Sequence, residues 1–252
     1  MYAEQRYKLI VDRLNETGRV SVTELAQRFK VTPETIRRDL DHLAEQSLLQ
    51  RVHGGAVARR TVVVEPDTGE RAQTNRAQKN RIAQACAAYL ARRGTGSLFV
   101  DAGSTTSLVV PLLPVSFGPV VTNDPAIAGT AAKAGFSTRI LPGNIRHVTL
   151  AAVGAETVAA VEQLHTDVAI LGTNGMDKEG FTTPDIEEAA VKSAFVTMAA
   201  FRIVVADSSK AGVTTLRTFA ALSDVDVLIT DSGLPTHFAD IAKKNGIEVV
   251  YA

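Results

Sequence analysis

Apolar residues recur at helical spacing three times in the first part of the chain. Tyr7, Ile10, Val11 and Leu14 fall at i, i+3, i+4 and i+7, a stripe that Thr17-Gly18 closes as a C-terminal stop. Val22, Leu25, Ala26 and Phe29 repeat that spacing, and Ser21 with Glu24 forms an S-x-x-E capping box that marks the start of a second helix. After a short break Thr32 stands as N-cap before Pro33 at the first helical position of a third. That helix carries Ile36, Leu40 and Leu43 on one face. At roughly 100° per residue Arg38 then lies opposite them, with Arg37 and Thr35 on the flanks. Two short helices joined by a tight turn, with arginines outward on the second, imply a helix-turn-helix reader of the DNA major groove. A merely solvated helix would also carry Glu34–Arg38 and Arg37–Asp41 as i, i+4 pairs. The joint presence of caps, turn length and two amphipathic faces favours DNA.

Beyond the third helix the period changes. Leu48 to Val52 alternates as a short strand, and His53-Gly54-Gly55 supplies a turn before Ala56-Val57, which together predict a wing. Arg51 and His53 are candidates there for a phosphate or minor-groove contact, the alternative being an ordinary hairpin with an exposed arginine. Residues 58–75 are polar and rich in turn formers, and are read as a linker between a domain at 1–57 and a second at 76–252. An alanine-rich helix from about Asn75 to Arg93 leads into a strand at Ser97 to Val100. Further apolar strands follow at Val120 to Thr122, Thr138 to Leu141, Val168 to Leu171, Ile203 to Ala206, Val225 to Thr230 and Glu248 to Tyr251. Short apolar strands separated by helices imply a covered sheet. The fold class is therefore mixed, a small N-terminal winged helix-turn-helix domain plus a larger α/β domain with a mostly parallel sheet.

Composition sharpens this picture at a few points. The 252 residues have zero formal net charge, but residues 1–60 hold 11 Lys/Arg against 8 Asp/Glu, a net +3, and the remainder is −3. The basic excess sits with the helix-turn-helix. It is small, so placed arginines and a homo-oligomer, dimer or tetramer, are needed for affinity. The single Cys86 excludes an internal disulfide, and the five histidines lack ligand spacing, so no metal and no cofactor are expected. The polar N-terminus and the absence of a run of ~18 apolar residues point to a cytoplasmic protein without a membrane partner. Phe29 is the only aromatic between Ser21 and Leu49, which argues against RNA binding by base stacking.

In parallel sheets ligands bind beyond the carboxyl ends of the strands, and the polar residues of the second domain collect there. The strand ending at Val100 delivers Asp101, Gly103, Ser104, Thr105 and Thr106 into an apolar helix expected around Leu108 to Leu113, a cradle for phosphate at a helix start. A plain Ser/Thr cap is the alternative. It is not a Walker loop, because the lysine is missing. Other strand ends offer Asn123 and Asp124, the turn from Pro142 through Gly143 to Arg146, the run Gly172, Thr173, Asn174, Gly175, and the run Asp207 to Lys210. Arg146 and Lys210 are the cations expected to face a phosphate. Glu188 and Lys192, four apart, share a helix face, which by spacing alone describes a solvent-side pair equally well.

The segment TPETIRRDLDHLAEQSLLQRVHGGAV resembles the N-terminal signature of the DeoR family of bacterial transcription regulators. The resemblance continues through KNRIA, FVDAGSTTS, TND, ILGTNG, EEAAVK and VADSSKAG. It implies a C-terminal domain similar to ribose-5-phosphate isomerase that senses phosphorylated sugars. It also places Lys210, the glycine turn before Arg146 and the Glu188/Lys192 pair in the sensing site, with Asn144 standing where the family commonly has a second glycine. Those isomerases carry G-A-D-E where this chain has Gly172-Thr173-Asn174-Gly175, so the acids needed to move protons are replaced by neutral groups. The function so implied is a repressor of sugar-metabolism genes that binds double-stranded operator DNA and answers to a phosphorylated sugar. The alternative is a sugar-phosphate isomerase with an appended DNA-binding domain.

Overall fold

In the computed structural model, residues 3–45, 48–52, 54–58, 65–94 and 96–252 are described, and the chain divides into two units at 64/65. His53 lies outside the described residues, as do Arg59 and Arg60.

The first unit contains α1 (Ala3–Thr17), β1 (Arg19–Ser21), α2 (Val22–Phe29), α3 (Pro33–Glu45), β2 (Leu49–Val52) and β3 (Gly55–Ala58). The apolar stripes read from sequence meet in one core of Ile10, Leu14, Val22, Leu25, Ala26, Phe29, Ile36, Leu40, Leu43 and Leu49. Burying each large side chain contributes roughly 1.5–3 kcal/mol, which is why periodicity alone locates these helices. Thr32 caps α3, accepting from Thr35 N at 3.2 Å. Ser21 does not cap α2 with its side chain. The first helical donor, Val22 N, goes instead to Gly54 O at 2.9 Å. This follows from β1, a strand that short-range pattern did not announce: it joins the hairpin in the order β1-β3-β2 and sets Ser21 opposite Gly55. A Cβ on Gly55 would lie 2.0 Å from Val20 O, so only glycine allows the two strands to meet.

Helix α1 is fastened to α3 by a buried ion pair. Arg6 donates to both oxygens of Asp39 at 2.5 and 2.8 Å, with the side chains 8 % and 5 % exposed. Its hydrogen bond to Asp39 holds the Arg6 guanidinium above its ordinary pKa despite burial.

The second unit begins at Glu65, earlier than the residue 76 expected from sequence. Within the stretch read as linker, α4 (Thr68–Gln73) is capped by Asp67, and Thr68 N donates to Val148 O at 3.1 Å. There follow α5 (Arg76–Arg93), β4 (Leu98–Val100), β5 (Val120–Thr122), α6 (Pro125–Lys133), β6 (Thr138–Ile140), β7 (Asn144–Ile145), β8 (Ala152–Val153), α7 (Ala155–Glu162) and β9 (Thr166–Gly172). The chain ends with β10 (Gly175–Met176), β11 (Gly180–Thr183), α8 (Ile186–Met198), β12 (Ala199–Val205), β13 (Arg217–Ala221), β14 (Val227–Thr230), α9 (Thr236–Lys244) and β15 (Glu248–Tyr251).

All seven strands expected from sequence form one sheet in the order β15-β14-β12-β9-β4-β5-β6, and every pairing in it is parallel. Alternate residues face opposite layers. Leu98, Val100 and Ile170 pack with Ile82, Leu90 and Ile127 from α5 and α6, while Phe99, Leu171 and Val204 pack with Phe195 and Phe238 from α8 and α9. Burial on both faces explains the unbroken apolar runs. Strand order reverses direction between β4 and β9, and a crevice opens there at the strands' carboxyl ends. The small sheet β10-β11-β13 and the hairpin β7–β8 were not legible, since their strands are short and carry little apolar alternation.

The Arg6–Asp39 pair yields a test. Arg6→Ala leaves Asp39 buried and uncompensated, and is expected to destabilise the first unit by about 3–5 kcal/mol. Arg6→Met with Asp39→Leu together should cost less than the single change. Denaturant unfolding followed by circular dichroism checks both, and equal midpoints for parent and Arg6→Ala would show the pair to be ornamental.

Candidate functional site

In the first unit α3 presents its arginines to solvent. Arg38 is 82 % exposed and approaches Glu34 only at 3.8 Å, whereas Arg37 is 55 % exposed and donates to Glu34 at 3.2 Å. Exposed pairs of this kind contribute about 0–1 kcal/mol, so either arginine can exchange Glu34 for a base edge or a phosphate at little cost. Ser21 and Thr32 are exposed near the same helix starts, and Thr35 is half-buried, its hydroxyl 2.9 Å from that of Thr32. The Arg37–Asp41 pair does not form. Asp41 instead accepts from Arg51 Nε at 2.7 Å, and Arg51 also donates to Gly55 O at 2.7 Å. Arg51, expected to reach DNA, is thus engaged within the unit, where it clamps the wing to α3.

In the second unit the crevice at the β4/β9 reversal is lined by Gly103, Ser104 and Thr105 from the end of β4, by Gly172 and Thr173 from β9, and by Asp207 and Lys210 beyond β12. Two further cations complete it, Arg71 from α4 and Lys79 from α5. Lys79 is 4 % exposed, donates to Ser104 Oγ at 3.1 Å, and also bonds Arg71 O. Burial lowers its pKa to about 8, with Lys210 and Arg71 adding to the effect and Asp207 opposing it. Burial likewise lowers Lys210, again against Asp207. Three cations thus share the lining with three hydroxyls, with Asp207 the single carboxylate there. Such a place favours a bound anion, whose charge opposes the effect of burial on both lysines.

The helix expected after this loop is absent. Residues Thr106–Leu108 and Val110–Leu112 form separate 3₁₀ turns, because Pro111 has no N–H with which to continue a helix. The macrodipole argument for phosphate fails accordingly, and side-chain cations take its place. Thr106 is also withdrawn from the site, its hydroxyl donating to Gly103 O at 2.9 Å with the residue fully buried.

Several other candidates prove to be supports. Asn123 is buried between Ala102 N (3.0 Å) and Ala152 O (3.2 Å), and Asp124 caps α6 through Ala126 N (2.8 Å) and Ile127 N (3.1 Å). Gly143 has φ +131°, and a Cβ there would lie 2.0 Å from Thr157 Oγ1, so this glycine alone meets the needs of the turn while Asn144 pairs in β7 with Val153. Asp101 and Lys192 form a buried ion pair, completed by Gly172 N donating to Asp101 at 2.9 Å and Lys192 donating to Gly172 O at 3.1 Å. Burial pushes the Asp101 carboxyl up, against the pull of Lys192.

Arg146, expected beside Lys210 as a phosphate cation, is ringed by Glu65 at 2.6 Å, Asp185 at 3.1 Å and Glu188 at 3.2 Å. Burial opposes its charge, and the three carboxylates overcome that, holding the guanidinium above its ordinary pKa. Glu188 also accepts from Thr149 and from Thr183 at 3.4 Å, and Asn174 donates to Glu65 at 3.4 Å. The candidate residues therefore fall into a cationic cleft and a carboxylate-rich cluster.

The DeoR-like helix-turn-helix domain matches residues 6–62, and the DeoR C terminal sensor domain matches residues 74–232. The chain belongs to the DeoR family. It is a DNA-binding transcriptional regulator, like the full-length relatives it matches. These include the regulator FruR of Bacillus subtilis, 33 % identical over 99 % of both chains, and the glycerol-3-phosphate regulon repressor of Escherichia coli, 32 % identical over 99 % of both. The regulator GlpR of Haloferax volcanii is 34 % identical over 99 % of this chain and 98 % of its own. A D-ribose-5-phosphate isomerase aligns over 52 % of this chain and 53 % of its own, at 15 % identity and a TM-score of 0.38, which carries no argument about chemistry. Among the described residues no helix is long and apolar enough to cross a membrane, and no group of three His, Cys, Asp or Glu is placed to hold a metal.

Sequence reasoning missed Arg71, Lys79 and Glu65. Lys79 left a signal: it stands at i of the apolar stripe Ile82, Ala83, Cys86, Ala87, Leu90, and a lysine on a buried face needs a reason. Arg71 and Glu65 left none, lying in a polar stretch read as linker.

For the DNA-reading surface, Arg37→Ala and Arg38→Ala should each weaken specific operator binding, by roughly 1–3 kcal/mol where a bidentate base contact is lost, with the fold intact. The outermost Arg38 suits a base edge and Arg37 a phosphate, so random-sequence affinity should fall more for Arg37→Ala. Titration of operator and random duplexes at fixed salt checks this, and parent-like binding by both variants would show that α3 is not the reading helix.

Proposed function

We propose that this DeoR-family regulator is a repressor whose second unit binds a phosphorylated sugar in the crevice between β4 and β9, and that binding weakens its hold on the operator. One observation carries the proposal: Arg71, Lys79 and Lys210 converge on Ser104 and Thr105 with Asp207 as the single carboxylate. A dianionic phosphate meets charge-assisted donors on several sides there, and a neutral ligand leaves the cations uncompensated. The Escherichia coli relative, a repressor of a glycerol-3-phosphate regulon, fits a phosphorylated effector. The modest charge of the first unit and the two-fold symmetry usual for helix-turn-helix operators favour a homo-oligomer acting in the cytoplasm.

Calorimetry is the test. Phosphorylated sugars should bind and their unphosphorylated parents should not. Lys210→Ala should lose more affinity than Ser104→Ala, since charge-assisted hydrogen bonds are roughly twice as strong as neutral ones. Affinity should also fall as pH rises above about 8, because Lys79 loses its proton there in the empty cleft while a bound phosphate needs it charged. Equal binding of sugar and sugar phosphate would redirect the search to neutral metabolites.

The sensor reading excludes turnover. Where the isomerases place acids, Thr173 donates to Gly175 O at 2.7 Å and Asn174 bridges Glu65 and Thr183, so neither is a base. No interconversion of ribose 5-phosphate or of hexose phosphates above the buffer rate is expected. Turnover abolished by a substitution in the cleft would make the protein an enzyme.

A further inference from the structure

The cationic cleft and the carboxylate-rich cluster are joined through shared side chains. Arg71 lines the cationic cleft, and its Nη1 also lies 3.4 Å from Glu65 Oε1, so this one side chain joins the two groups. Asn174 joins them a second time, following Thr173 of the cleft wall and donating to Glu65. In the cluster Glu65, Asp185 and Glu188 share Arg146, three negative charges about one guanidinium. The Glu65 side chain is 7 % exposed, yet its Oε2 takes no hydrogen bond. Arg146 Nη2 at 2.6 Å is close enough for an ion pair but off the line of a hydrogen bond. A carboxylate oxygen so paired keeps a lone pair free, which the hydroxyl of a ligand can fill. Glu65 and Arg71 both lie between the two matched family segments, 6–62 and 74–232.

We propose that Glu65 is a specificity-determining residue of the effector cleft. Resting on the phosphate reading above, the inference is that Glu65 accepts hydrogen bonds from the hydroxyls of a neutral sugar body whose single phosphate sits at Ser104 and Lys210. A second anionic group, phosphate or carboxylate, would meet the carboxylate-rich end and be turned away. Glu65 is also the first residue of the second unit, so the group that reads the sugar lies where the chain arrives from the DNA-reading unit.

Calorimetry on the full-length protein tests this with inorganic phosphate, glucose 6-phosphate, fructose 6-phosphate, fructose 1-phosphate, fructose 1,6-bisphosphate and 6-phosphogluconate. In the parent at least one monophosphate should bind about tenfold or more tighter than inorganic phosphate, the bisphosphate and the acid, a margin typical of a lost or repelled polar contact. Glu65→Gln, which keeps size and removes charge, should leave inorganic phosphate affinity unchanged, weaken the preferred monophosphate about tenfold, and narrow the discrimination against the doubly anionic ligands. Glu65→Asp, with its carboxylate drawn back, should weaken the monophosphate but keep that discrimination, and it decides the matter if the glutamine variant fails to fold. Parent-like ligand profiles in both variants overturn the proposal and leave the phosphate reading standing. So does an equal loss of inorganic phosphate and sugar phosphate, which would mean that Glu65 only positions Arg71. A parent that binds no phosphorylated ligand overturns both readings.

Discussion

The ends of β4 and β9 are held by one buried ion pair, and the geometry of the crevice depends on it. Asp101 closes β4, Gly172 closes β9, and Lys192 reaches down from α8 to bond both. Both charges are almost wholly buried, so each pays a desolvation cost that the other and the Gly172 peptide offset, with the Phe219 ring 5.4 Å from Lys192 Nζ. Replacing such a pair with apolar groups is often harmless to stability in general. Here, however, its fixed directions set the spacing between Gly103-Ser104-Thr105 on one wall and Gly172-Thr173 on the other. The glycine at 172 fits the same logic, since a Cβ there would point toward Asp101 and Thr106 at ordinary contact distance and narrow the space between the walls.

Around that frame, charge is sorted by position. The cationic groups come from α4, α5 and the turn beyond β12, and Lys79 shows the consequence of burial, which lowers its pKa to about 8. The carboxylates gather apart from the cleft lining, where Arg146 keeps Glu65, Asp185 and Glu188 close together. Arg71, which lines the cleft and pairs with Glu65, links the two groups of opposite sign.

The first unit uses the same economy of means with different groups. Its buried charge, Arg6 with Asp39, fixes α1 against α3 and leaves the outer face of α3 free, while Arg51 takes Asp41 and the Gly55 carbonyl to hold the wing. What remains exposed at the helix starts and along α3 are Ser21, Thr32, Arg37 and Arg38, side chains that can leave a weak partner for DNA.

Short-range pattern by itself determined the helix-turn-helix, the Thr32 cap, and all seven strands of the parallel sheet. Each of these is governed by local burial periodicity or local backbone chemistry, and their apolar signal is strong enough to outweigh tertiary effects. It also located the strand ends at which the crevice opens, because a parallel sheet puts its loops there. Tertiary structure decided where the polar residues stand and what they bond. Thr106, Asn123, Asp124, Asp101 and Lys192 look like ligand groups in sequence and are supports in the fold, since a buried polar side chain must find a partner and these found theirs inside. Arg71 and Glu65 look like linker, yet Arg71 lines the cleft and Glu65 pairs with it and with Arg146, because α4 folds back onto residues 148 and 149, a pairing across some eighty positions that no local pattern encodes.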